Sequence, residues 1–275
     1  MNHIAKISFV LLLWGAPETV QAGPYAPAAG QTGSTAIAHN SPQFVAWATS
    51  GSINRGPQDI NDPAGNLASF GAISDAFGPA GTSTTAVVSL GDAGQATVGF
   101  AANLRNGPGA DFAVFENSFG DTFLELAFVE VSSNGTDFFR FPSVSLSSQS
   151  AQIDTFGAVD TTDLNNLAGK YRVGFGTPFD LQELVGVSPL LDVNNVSGVR
   201  VVDVVGRITS APGNLSWQPT RDSLNNIMND PYPTPFAAGG FDLDAVGAIN
   251  VVPEPVAMSL FSLASLAALA RRNRR

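Results

Sequence analysis

Turn-forming residues, rather than any helical period, govern what this chain can fold into. Seven runs enriched in β-branched and aromatic residues stand between Ala86 and Ile249: Ala86–Leu90, Gln95–Leu104, Asp111–Glu116, Phe123–Ser132, Asp137–Phe141, Val196–Val205 and Phe241–Ile249. Turn residues bound them, as in Asn106-Gly107-Pro108-Gly109 and in Ser133-Asn134-Gly135, a good hairpin signal. No strong 3.6-residue repeat runs through this body, so short strands are expected instead of amphipathic helices. Short strands joined by long Asp/Asn/Gly loops predict an all-β fold, a jelly-roll-like β-sandwich over residues 86–250. No tandem repeat of fixed period is visible.

Upstream the chain carries little to bury. Residues 23–43 are rich in Ala, Gly, Pro, Ser and Thr, which predicts a flexible lead-in. Gln43–Thr49 reads as a short strand or helix, and Ser50–Gly81 as loops dense in Gly, Pro, Asn and Asp. Residues 23–85 are therefore expected to form a lead-in and a loop-rich start to the domain.

Both ends read as delivery signals. Met1–Lys6 has one positive side chain, Ile7–Trp14 is an apolar core, and Val20-Gln21-Ala22 offers small residues where a signal peptidase reads. A signal peptide over residues 1–22, cut after Ala22, is expected; a retained anchor is the plainer reading. At the other end Pro253-Glu254-Pro255 precedes an uncharged apolar run, Val256–Ala270, and then Arg271, Arg272, Asn273, Arg274 and Arg275. A helix of that run would span about 22 Å against a hydrocarbon core of roughly 30 Å, a gap that snorkelling arginines and local thinning can narrow. The arginines predict a cytoplasmic C-terminus, and the prolines place the helix start at or after Pro255. A generic anchor or a terminal core helix are the alternatives.

This order of features resembles the PEP-CTERM sorting signal of Gram-negative bacteria. The resemblance implies that Pro253, Glu254 and Pro255 form the sorting motif, Val256–Ala270 the transmembrane segment, and Arg271, Arg272, Arg274 and Arg275 the basic stop. It also implies processing by an exosortase, transient residence in the inner membrane, and a setting of exopolysaccharide production. The body is similar to exported bacterial cell-surface domains found ahead of such signals, on the strength of several segments. These are Gly109–Asn117, Leu124–Gly135, Asn166–Lys170, Gly176–Leu181, Val199–Val204 and Gly239–Val246. That likeness implies a β-sandwich of binding-module type and brings no catalytic residues with it.

Composition narrows the chemistry. The chain has no cysteine, so neither disulfides nor thiol catalysis are available. Beyond the signal peptide His39 is the remaining histidine, and it falls in the lead-in, so a Ser-His-Asp triad or a histidine zinc site has no members in the body. Gly107-Pro108-Gly109 lacks the Lys-Ser/Thr of a phosphate loop, and Gly94–Gly99 lacks the dinucleotide fingerprint. Of 23 acids and 13 bases, setting aside two acids and five bases in the terminal segments leaves 21 against 8. Such a surface repels nucleic acid and favours cations and neutral sugars.

Carboxylates are what remain. Glu116 and Asn117 close an apolar strand, Glu125 interrupts another, Asp242 and Asp244 share one face of a third, and Asp180 sits in a Phe-Asp-Leu context. Three readings stand together: solvated faces and turn caps, oxygen ligands for a calcium ion, or a glycosidase acid pair such as Glu116 with Glu125 or Asp242. Asp59-Ile60-Asn61-Asp62-Pro63 opens like an EF-hand but fails, because Pro63 and Phe70 stand where oxygen ligands are needed. Trp47, Trp217 and Tyr232 lie in loop-like contexts, where aromatic rings either stack on sugars or cap the core.

The expectation is an exported, exosortase-processed surface or matrix protein that binds extracellular polysaccharide without catalysis, with calcium as a possible stabiliser. A matrix polysaccharide hydrolase and a purely structural biofilm-matrix component are its rivals.

Overall fold

A computed structural model describes residues 23–213 and 215–253. In chain order the strands are β1 (Ile37–Ala38), β2 (Ala46–Trp47), β3 (Ser50–Asn54), β4 (Val88–Ser89), β5 (Gln95–Gly99), β6 (Phe112–Glu116) and β7 (Ala127–Ser132). There follow β8 (Phe139–Arg140), β9 (Val144–Ser145), β10 (Leu164–Asn165), β11 (Phe175–Phe179), β12 (Gly198–Asp203) and β13 (Asp242–Ala248). Three short 3-10 turns are the helical segments among the described residues.

One sheet runs β1-β11-β6-β13-β2, with β4 also paired to β13; a second runs β3-β5-β12-β7-β8, and β9 pairs with β10 in a two-stranded ribbon. Every pairing is antiparallel. Phe112, Val114, Leu243, Val246 and Ala248 from the first sheet meet Ala96, Val98, Val129, Val131, Val199 and Val201 from the second in one apolar cluster. The result is a sandwich-like all-β fold, as the strand pattern predicts.

Burial along the strands shows where the sandwich is covered twice. β5 alternates half-buried and buried positions, the signature of a strand with one wet face. β6, β7 and β13 are buried at every position. Their outer faces lie under loops and short strands: Phe44 and Trp47 pack near Phe115 and Ala245 behind β6 and β13, while Leu124, Leu126, Leu164, Leu167 and Met228 cover Phe128 behind β7. Long loops here are a third layer, so strands that look apolar on both sides in sequence are satisfied on both sides.

All seven predicted runs carry a strand, each shorter than its run. The upstream third is more ordered than its composition suggests. Tyr25 N donates to Thr162 O at 3.0 Å, Arg172 Nη1 donates to Ala29 O at 2.9 Å, and β1 pairs with β11. β3 forms within the stretch read as loop, bordering the second sheet against β5; its polar, exposed sequence Ser-Gly-Ser-Ile-Asn suits an edge strand and hides it from an apolar-pattern search.

The signal peptide over 1–22, Glu254, Pro255, the run 256–270 and Arg271, Arg272, Arg274 and Arg275 lie outside the described residues. Among the described residues no helix is long and apolar enough to cross a membrane. Val252 N donates to Asn103 O at 2.8 Å, and Pro253 next to it is exposed.

Candidate functional site

The sheet itself brings the first acids together. β6 ends at Glu116, which pairs with Leu243 of β13, and Asp242 of β13 pairs with Ser89 of β4. Three strand ends therefore converge. Asn117 Nδ2 donates to Asp242 Oδ2 at 3.0 Å and to Thr84 O at 2.9 Å, while Ser89 Oγ donates to Asp242 Oδ1. Glu116 Oε2 accepts from Ser118 N at 2.7 Å and from Ser118 Oγ, whereas its Oε1 is buried without a partner.

Glu125 arrives from the segment leading into β7. It is 8% exposed, and among the described residues no donor meets its carboxylate. Burial pushes its pKa well above the usual carboxylate range, and Glu116, Asp242, Asp230 and Asp203 nearby push it further. Burial raises Glu116 to about 8 against the opposing bonds from Ser118. It raises Asp242 to about 6, against the donors from Ser89 and Asn117 and the charge of Arg55. Arg55 is not among the residues lining the pocket over these acids, and its guanidinium donates to Phe70 O, Ser89 O and Gly71 O at 3.0, 2.7 and 2.6 Å.

Above these groups opens a pocket of about 280 Å³. Asn117, Glu125 and Asp242 line it from below, and Phe70, Phe119, Phe123, Phe156 and Phe236 form its walls. Four of the rings make a continuous chain. Phe119 stacks on Phe123 with centroids 5.3 Å apart, Phe123 meets Phe156 at 5.7 Å, and Phe156 stacks on Phe236 at 6.3 Å. Phe119 and Phe156 are 66% and 71% exposed, which for a large apolar side chain marks a contact surface rather than core.

The other predicted residues stand elsewhere. Asp244 lies at a bulge between Leu243 and Ala245, accepts from Gly81 N at 3.2 Å, and is raised to about 6 by burial, with His39 opposing. Asp180 caps the 3-10 turn Leu181–Leu184 by accepting from Gln182 N at 2.9 Å. Tyr232 is buried; its hydroxyl donates to Asp59 Oδ1 at 3.0 Å and accepts from Asn61 Nδ2, so its ring is not open for stacking. Trp217 is half-buried, with the Arg207 guanidinium 5.2 Å from its ring centroid. Trp47 packs against Phe44 and Phe115.

Two groups of residues escaped the sequence reading. The phenylalanine wall is one; its signal was an apolar ring set in polar, glycine-bearing loops, as in Ser118-Phe119-Gly120 and Thr155-Phe156-Gly157. The other is the set of buried aspartates beside the floor. Asp203 accepts from Phe241 N at 2.7 Å and Ala93 N at 2.9 Å, Asp92 from Ile60 N at 2.7 Å, and Asp230 from Leu126 N at 2.9 Å. These aspartates tie loops to strands through backbone amides.

A larger cavity of about 620 Å³ lies between residues 24–37 and β11. Lys170 there is pushed down to about 8 by burial and donates to Leu164 O at 2.6 Å, so its amine is already held. Among the described residues no group of three or more His, Cys, Asp or Glu side chains is placed to hold a metal ion. Against known protein families, curated proteins and solved structures, the chain gives no match.

Proposed function

We propose that this chain is an exported surface or matrix protein whose sandwich binds saccharide of the cell's own matrix in the phenylalanine-walled pocket. The observation that carries the reading is the combination of exposed ring faces with a floor of one amide and two carboxyl side chains. Ring faces pack on the C–H faces of sugars, and amides and carboxyls meet hydroxyls. The reading retains a jelly-roll-like course for the chain. It also retains delivery by signal peptidase at one end and exosortase at Pro253, Glu254 and Pro255 at the other, with passage through the inner membrane. The excess of acids over bases argues against a nucleic-acid partner.

Binding is tested with a glycan array and a pull-down on native exopolysaccharide. Wild-type protein is expected to bind, and Phe119→Ala and Phe156→Ala are expected to lose binding with unchanged melting, since both rings are mostly exposed. Folded wild-type protein that is blank in both assays overturns the reading. Calcium would use the same floor through Glu116, Asn117, Glu125 and Asp242, with Asp180 and Asp244 left out. A melting temperature unmoved by chelator and by added calcium removes it.

One observation favours a second reading, hydrolysis. Glu125 is held toward its protonated form beside Asp242, whose hydrogen bonds favour the ionised form, and both line one pocket. That division between two carboxyls is what an acid-catalysed glycoside cleavage requires. New reducing ends on extracted polysaccharide, lost in Glu125→Gln, would establish it.

A further inference from the structure

Phenylalanine is an unusual choice for a wall that reads only neutral sugar, because it offers no hydroxyl or N–H to the sugar's oxygens. It does offer a face of negative potential, and five such rings surround one opening. The floor holds carboxyls that an entering cation draws toward their ionised form. Glu125 is more than nine-tenths buried with no donor among the described residues, and Glu116 Oε1 behind it is also without a partner. No lysine or arginine lines the pocket among the described residues. An unpaired buried carboxyl is costly, and the cost is relieved if the ligand brings the missing positive charge.

The lining separates organic from metal cations. A calcium ion needs six to eight oxygen ligands, roughly, and phenyl rings supply none. Both Asp242 oxygens and Glu116 Oε2 already accept protein donors. A weakly hydrated ammonium group instead gains from ring faces on its sides and from one carboxyl beneath it that no protein donor occupies and that ionises as the cation enters. The volume, about 280 Å³, sits at the low end of small-molecule pockets, roughly 300–1,000 Å³. It suits one residue of a chain rather than a long stretch.

We infer that this pocket recognises an organic ammonium group, carried by a matrix saccharide as a free-amine amino sugar, with the rings around it and Glu125, which gives up its proton as the ammonium enters, as its counter-charge. The inference rests on the saccharide reading above and names the sugar class. An acetylated amine or a uronic acid fits worse, the first for lack of charge and the second for having the wrong one.

Calorimetric titrations of the purified full-length protein test it with three probes: a β-linked glucosamine oligomer, its fully N-acetylated counterpart, and choline. At pH 6.5 the free-amine oligomer is expected to bind about tenfold tighter than the acetylated one, about 1.4 kcal/mol, on the scale of one or two cation–π contacts. Choline is expected to compete. Glu125→Gln removes the preference, and Phe156→Ala, which alters an exposed ring, weakens choline and the free-amine oligomer together without moving the melting temperature. Equal binding of the two oligomers overturns the ammonium assignment while leaving the saccharide reading intact. Binding of choline with neither oligomer sustains the ammonium site and overturns the saccharide reading. Calcium that excludes choline from the wild-type pocket overturns the assignment in favour of a metal site.

Discussion

At the scale of single residues, the position of Glu125 depends on a glycine that touches only its backbone. Gly169 has φ +80°, and a β-carbon there would stand 1.8 Å from Glu125 O. Gly135 has a similar φ of +73° with open space around it. The pair separates strain from collision. Gly135→Ala is expected to cost roughly 1 kcal/mol for the left-handed backbone alone, and Gly169→Ala more than about 3 kcal/mol because the carbonyl must also move. Urea midpoints measure both, and equal losses would show that the segment leading into β7 gives way freely. Glu116 and Asp242 stand out in the sequence because acids at the ends of apolar strands must be solvated or paired, and the structure pairs Asp242 with Asn117 and Ser89. The phenylalanines were not legible, since a ring in a loop reads the same whether it is tucked under or left open. Only the meeting of three loops, around 119–123, 156 and 236, distinguishes the two.

Among the elements, β7 shows how the outer face of a strand is finished. Glu130 pairs with Arg140 on β8 and with Arg200 on β12, directly across on either side. Its Oε1 accepts from Arg140 Nε at 2.8 Å and its Oε2 from Arg200 Nε at 2.6 Å. The two guanidinium groups lie over Phe128 and Phe138, at 4.0 and 3.9 Å from the ring centroids. With Glu130 buried and the arginines partly exposed, Glu130→Ala is expected to cost roughly 1–3 kcal/mol, between a surface pair and a buried one. A double-mutant cycle with Arg200→Ala should return a coupling energy, and strict additivity would make the triad ornamental to stability. β7 was legible by its apolar run, yet Glu130 within it gave no hint of two partners, because cross-strand register exists only once the sheet is assembled. β3 failed to register for the opposite reason: an edge strand with exposed polar side chains has no alternation to read.

For the whole molecule, the succession of strand runs and turn residues is the most legible part of the sequence, since all seven runs carry a strand. The pocket is the least legible, since it is assembled from residues more than a hundred positions apart. What the sequence shows as an acidic surface is also an acidic interior. Glu116, Glu125, Asp92, Asp203, Asp230, Asp242 and Asp244 are all buried and all raised, each by desolvation first. A carboxyl whose folded pKa exceeds its unfolded one binds more protons in the native state across the interval between them, so stability falls as pH climbs through it. Unfolded carboxyls titrate near 4, roughly. The folded values reach about 6 for Asp242 and Asp244 and about 8 for Glu116. Stability from these groups is therefore fully present below about pH 4 and declines toward pH 8. Lys170 acts in the opposite sense, but its interval lies above its folded value of about 8, so it offsets the loss only in more alkaline solution. Calorimetric melting between pH 4 and pH 8 is expected to show a steady fall in Tm, and in Asp242→Asn a shallower one. A Tm that holds level or rises over that span would mean that the buried acids are ionised in the native state, and that something other than a proton already compensates them.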